Sequence, residues 1–169
     1  ELVAICEPED APLNRALERL RSLPASPSIF TSWQDMVSNV KLDALILARG
    51  QDENHNILPQ LTKRPMPMLV SAPISPTVRG GMDMVKQMRA ARVPFQIGLQ
   101  GAADPVIDAL IDEANTAQTG PLLQVKVGQR AHLPYPADAE TERDWVFALV
   151  HSCDLVARLA PERPVRVHV

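Results

Sequence analysis

Short apolar runs separated by amphipathic segments recur along this chain, and that alternation limits its fold more than any other feature. Leu2-Val3-Ala4-Ile5-Cys6 reads as a strand. It is followed by Pro12, suited to a first helical turn, and by Leu13, Ala16, Leu17 and Leu20, an apolar stripe at helical spacing. Ile29-Phe30 is a second short strand, and Thr31 or Ser32 can cap a helix carrying Trp33, Met36, Val37 and Val40. Leu42 to Ala48 is apolar except for Asp43, as expected of a strand covered on both faces. Ile57 to Leu61 falls on a short helix and Met66 to Val70 on the next strand. Thr77 to Ala91 is a helix with Met84, Val85, Met88 and Ala91 on one face, and Val93 to Leu99 is another strand.

Strands that alternate with helices in this way predict an α/β fold: a Rossmann-like, mostly parallel sheet with helices on both faces. Asp104 and Pro105 then supply the N-cap and first position of a helix to about Ala117. Leu122 to Val127 alternates like a strand, and Gly128 to Glu140 is a proline-containing loop. Thr141 to about Leu159 is a long helix with Trp145, Leu149, Ser152, Val156 and Leu159 near one stripe. The change from sheet domain to something else is placed near residue 120. With 169 residues, 46% of them apolar, one domain with a sizeable core fits, together with the start of an α+β second domain.

A net charge of -3, with scattered lysines and arginines, argues against a nucleic-acid partner. No apolar stretch reaches the roughly 18 to 20 residues of a membrane span, and no charged-then-apolar leader precedes Glu1, so no membrane partner is expected. Cys6 and Cys153 lie far apart on apolar elements and read as two buried free thiols, which suits a cytoplasmic protein. Both ends, Leu2 to Cys6 and Val165 to Val169, are strand-like and look cut rather than finished. His132 and His168 have no partners at metal-ligand spacing, so no metal site is expected. There is also no nucleophile elbow and no phosphate loop of the Gly-x-x-x-x-Gly-Lys type.

Leu69-Val70-Ser71-Ala72-Pro73 stands at the end of a strand and just before a helix, a corner of the kind where open α/β sheets bind ligands. Ser71 and Ala72 bring one hydroxyl and no titratable group.

Several segments in order resemble the glucose-fructose oxidoreductase and inositol dehydrogenase family, the Gfo/Idh/MocA-type NAD(P)-dependent oxidoreductases. Glu1 to Asp10 resembles the family's second strand with its acidic end, and Thr31-Ser32-Trp33-Gln34-Asp35-Met36 its next helix start. Leu42 to Ala48 resembles the strand that usually ends Ala-Thr-Pro, and Leu69 to Pro73 sits where Val-Glu-Lys-Pro is usual. Pro94 to Gly98, Asp104-Pro105 and Thr119 to Leu123 follow in order, and His151-Ser152-Cys153-Asp154 falls where the family has His-Asp-x-Asp. By this resemblance residues 1–119 form the nucleotide-binding-type domain, without the first strand and Gly-x-Gly-x-x-Gly turn that precede such a segment. Residues 120–169 form part of a second, substrate and oligomerisation domain.

The resemblance implies NAD or NADP as cofactor, with Glu7, Ala48, Arg49, Ser71, Ala72 and Pro73 on the cofactor side. Glu7 matches the acid that takes the adenosine ribose hydroxyls; an ordinary turn acid in a Glu-Pro-Glu-Asp cluster is the other reading. Arg49-Gly50-Gln51 replaces Thr-Pro-Asn, and Arg49 can meet a phosphate or solvent. Asn54 or His55 lies near the family's loop histidine, and a helix N-cap explains Asn54 equally well.

His151 matches the catalytic histidine, a candidate general base, with Gln100 and Asp154 as substrate-side candidates. A partly buried helix histidine, hydrogen-bonded to Asp154 or a carbonyl, is the alternative for His151. Asp144, two turns before it, lies about 10 Å away by helix rise, too far for direct pairing.

The departures concern chemistry. The family's catalytic lysine is Ala72, the aspartate one turn before its histidine is Phe147, and Gly101-Ala102 replaces a basic pair. Alanine can neither donate a proton nor hold a charge. Two functions are therefore expected to compete. One is a catalytically impaired oxidoreductase with ancestral sugar or cyclitol dehydrogenase chemistry and a sugar-like ligand. The other is a non-catalytic binding, regulatory or self-associating scaffold on the same fold, a pseudoenzyme that forms a homo-oligomer.

Overall fold

The computed structural model describes residues 1–22, 24–99, 103–116, 120, 124–128 and 139–160. The chain divides into two compact units, Glu1–Leu45 and Ile46–Val169. The change expected near residue 120 falls beside 117–119 and 121–123, outside the described residues.

In the first unit, β1 (Ala4–Cys6) and β2 (Ser28–Phe30) pair in parallel, with Ile5 opposite Ile29. Between them runs α1 (Asp10–Leu20), whose stripe of Leu13, Ala16, Leu17 and Leu20 is half-buried with no fully buried member. After β2 the chain turns into α2 (Trp33–Asn39). Of the two candidate caps, Ser32 is the one used: its hydroxyl accepts from the Asp35 N–H at 3.2 Å. Met36 and Val37, on the stripe read from the sequence, are buried.

The second unit holds β3 (Leu45–Leu47, which begins at the boundary), α3 (Gln51–Leu61), β4 (Met68–Ser71), α4 (Val78–Ala90), β5 (Phe95–Gly98), α5 (Pro105–Ala114) and α6 (Ala139–Leu159). Its three strands lie in the order β3-β4-β5, and β4 and β5 run parallel with Val70 opposite Ile97. The fold is α/β, with parallel strands flanked by helices, as the alternation predicts. Leu58 and Leu61 on α3, Met84 and Met88 on α4 and Met68 and Val70 on β4 are all at most 4% exposed and form the core. Each such side chain contributes on the order of 1.5 to 3 kcal/mol by leaving water.

Three expectations need correction, and one is extended. The run Leu42 to Ala48 is not covered on both faces: the strand alternates, so Leu47 points inward while Ile46 is 71% exposed. Ile57 to Leu61 do lie on a helix, and it extends further back, to Gln51, because Gly50 and Glu53 cap it there. The cysteines are free but not buried; Cys6 is half-buried at a strand end, and Cys153 is exposed beside exposed Leu149 on α6. Residues 124–127 form no strand, and 122 and 123 lie outside the described residues. Most of the loop expected over 128–140, and the strand-like 165–169, also lie outside.

Asp104 does cap α5, its Oδ1 accepting from the Val106 N–H at 2.9 Å. Arg158 of α6 reaches Asp108 of α5 at 2.6 Å and ties the two helices together. Among the described residues no helix is long and apolar enough to cross a membrane.

Candidate functional site

The carboxyl ends of β3 and β4 meet in one corner of the second unit, and a single side chain from α3 joins them. Asn54 is fully buried. Its Nδ2 donates toward Arg49 O at 3.0 Å, Ser71 O at 3.2 Å, Ser71 Oγ at 3.2 Å and Pro73 O at 3.5 Å. Three of these partners are backbone carbonyls, and the Ser71 hydroxyl spends its own proton on Arg49 O at 2.7 Å. Every neighbour of Nδ2 is therefore an acceptor, which fixes the orientation of the carboxamide. Its Oδ1 is buried with no hydrogen-bond partner among the described residues.

Asn54 is not a helix N-cap. Gly50 holds that position, with its N–H taken by Glu53 Oε2 at 3.3 Å and its carbonyl by the Asn54 N–H at 2.9 Å. His55, the other candidate for the loop histidine, lies elsewhere. Its Cε1 is 3.3 Å from where a Cβ on Gly80 would stand, against the first turn of α4.

Ala48 is exposed, Ser71 and Pro73 are half-buried, and Ala72 is 7% exposed. The Ala72–Pro73 peptide bond is cis. Arg49 projects from the same loop, but its guanidinium is held by Glu53, four residues on. The structure thus brings Ala48, Arg49, Ser71, Ala72 and Pro73 to one place. Arg49 is the one charged side chain among the five and is paired, the other four carry no titratable group, and their only hydroxyl, on Ser71, has a committed proton. Such a corner can present backbone and methyl surface to a ligand; it has no group to move a proton.

Glu7 belongs to the first unit. Its backbone N–H donates to Phe30 O at 3.0 Å, and its Oε1 accepts from the Glu9 N–H at 3.1 Å, bracing the start of α1. His151 and Asp154 lie on α6, the imidazole buried and the carboxylate half-buried. Gln100 lies outside the described residues, as do the side chains of Asp144 and Phe147.

Sequence reasoning missed the role of Asn54. A signal was present, since Asn54, Leu58 and Leu61 recur at helical spacing and place an amide on the apolar stripe of α3.

No family model matches this chain, and no curated protein matches it. Solved structures do. A dehydrogenase from Chromobacterium violaceum aligns over 98% of this chain and 48% of its own, with TM-score 0.80 and 18% identity. The myo-inositol 2-dehydrogenase from Lactobacillus plantarum aligns over 71% of this chain and 34% of its own, with TM-score 0.60 and 16% identity. The WlbA dehydrogenase from Bordetella pertussis, solved in complex with NADH and UDP-GlcNAcA, aligns over 68% and 33%, with TM-score 0.56 and 23% identity. The chain spans about half the length of the first of these and about a third of the other two. At such identities the likeness establishes a shared fold: that of dehydrogenases of the type the sequence resembles.

Proposed function

We propose that this chain is a divergent Gfo/Idh/MocA-type oxidoreductase that keeps the cofactor-side corner and has given up the proton-transfer chemistry beside it. Ala72 carries the reading. A buried methyl occupies the position where the family's lysine works, in a corner whose only hydroxyl proton is already spent. Cofactor binding is supported by the fold and by the NADH held in the WlbA structure. On this reading Ala48, Arg49, Ser71, Ala72 and Pro73 of the second unit face NAD or NADP, which supplies the hydride chemistry when bound; Glu7, in the first unit, keeps the ribose-acid role that the resemblance implies. By the resemblance Gln100 and Asp154 are the candidates for contact with a sugar-like ligand. His151 is the remaining candidate base, and its burial within α6 favours a packing role. Losing one positioned acid or base alone lowers rates by roughly 10² to 10⁴.

Fluorescence titration of the full-length chain with NADH and NADPH, paired with a turnover assay on sugars and cyclitols, tests the proposal. Saturable binding without turnover is expected. Absence of binding at millimolar dinucleotide, or turnover at ordinary dehydrogenase rates, would overturn it.

A second reading, self-association, is favoured by one observation. Val78, Val106 and Leu149, on three helices of the second unit, are 83%, 72% and 63% exposed. Light scattering on the eluted peak decides it, because a stable monomer removes the reason to invoke assembly.

A further inference from the structure

We infer that Asn54 is the positioning residue of the corner, the side chain that sets the distance between its two loops and through them its affinity for ligand. The inference rests on the cofactor reading above. Arg49 lies at the end of β3, and Ser71 and Pro73 lie at the end of β4. β3 and β4 are neighbouring strands, so the sheet brings their ends together, and beyond those ends the loops are bridged by side chains, the Ser71 hydroxyl on Arg49 O among them. The Asn54 carboxamide is the other bridge: the two hydrogens of its Nδ2 are shared among the carbonyls of Arg49, Ser71 and Pro73, at 3.0, 3.2 and 3.5 Å.

The arrangement is chemically one-sided. Oxygens alone surround Nδ2, so an oxygen placed there meets only lone pairs. A carboxylate at position 54 repels all three carbonyls, and an apolar side chain removes the Nδ2 donor from each of them. Ser71 forms the second arm, because its hydroxyl both accepts from Nδ2 and donates to Arg49 O. Arg49 O therefore receives two bonds, and loss of Asn54 leaves it one. Hence Asn54→Asp should loosen the corner most, Asn54→Ala less, and Ser71→Ala least.

The test follows native-state hydrogen exchange in the full-length chain, resolved to peptides over residues 49–54 and 71–75, together with NADH affinity far below the melting temperature. Leu58→Ala is the control, since Leu58 is equally buried on the same helix and touches no loop carbonyl through a polar atom. The expected result is faster exchange in both peptides together and NADH binding weakened about tenfold or more in Asn54→Asp. Leu58→Ala should lower stability while leaving NADH affinity of the folded protein unchanged. If Leu58→Ala weakens NADH as much as Asn54→Ala does, or if exchange rises in one peptide only, Asn54 is ordinary packing and the inference fails. If wild type binds no NADH, the cofactor reading falls. The exchange data then decide the coupling alone: a joint rise in the two peptides sustains it and its absence ends it.

Discussion

Glu53, in the first turn of α3, closes on the guanidinium of Arg49 just ahead of the helix and, with its other oxygen, holds the backbone N–H of Gly50. The one cation in the corner is therefore already neutralised, which argues against the phosphate contact that the sequence left open. Glu53→Gln keeps an acceptor for Gly50 and releases the charge. Affinity for a pyrophosphate ligand such as ADP-ribose should then rise severalfold at low ionic strength and fall back at high salt. Stability should change by less than about 1 kcal/mol, because both side chains are partly exposed. Calorimetry at two salt concentrations checks this, and an unchanged affinity would mean that Arg49 does not face the ligand.

Two adjacent glycines at the start of α4 should respond to the same substitution with opposite signs. A Cβ on Gly80 would stand 2.4 Å from Ser75 Oγ and 3.0 Å from Thr77 Oγ1, the hydroxyl that caps the helix. A Cβ on Gly81 meets only Ser75 and Ile74 carbons at 3.9 and 4.0 Å. Alanine gains about 1 kcal/mol over glycine within a helix. Gly81→Ala should therefore stabilise by up to that amount. Gly80→Ala should destabilise by about 1 kcal/mol, since the buried Ser75 must move and the cap with it. Urea melts of the two variants decide the matter.

At the other end of α4, Arg92 adopts φ of 53°, a left-handed conformation. The Arg92 N–H reaches Arg89 O and the Val93 N–H reaches Met88 O, both at 3.0 Å, while Val93 and Met88 are buried together. This is a Schellman C-cap with arginine at the position glycine prefers. Arg92→Gly should stabilise the chain by about 0.5 to 1 kcal/mol, seen as a higher urea midpoint with an unchanged slope. Unchanged or lower stability would show that the arginine side chain contributes more than the backbone conformation costs.

The parts of the molecule legible in the sequence are those governed by short-range periodicity. Asp104 with Pro105, Ser32, and the pair Met84 and Met88 were recoverable because caps and stripes act within one or two turns. The exposure of Ile46 was not: an apolar run records which strands can be covered on both faces, not whether a covering element is present. The corner was legible as a place, from a strand end beside Ser71 and Ala72, but not as a mechanism of assembly. Asn54 sits 17 and 19 residues from its Ser71 and Pro73 partners, and no local pattern encodes a bond of that span.

The same distinction bears on His151, whose match to a catalytic histidine came from its neighbours in sequence rather than from access to a substrate. Its side chain is buried, Nε2 included, near the end of α6 that Arg158 ties to α5. A general base must reach the proton it removes. His151→Ala should therefore lower stability by about 1 to 3 kcal/mol, as expected for a buried polar group removed from a packed helix. NADH affinity of the folded protein should stay unchanged. Thermal melts and fluorescence titration read these separately. Unchanged stability combined with loss of a measurable wild-type turnover would instead place the imidazole at the reacting atoms and restore it as the base.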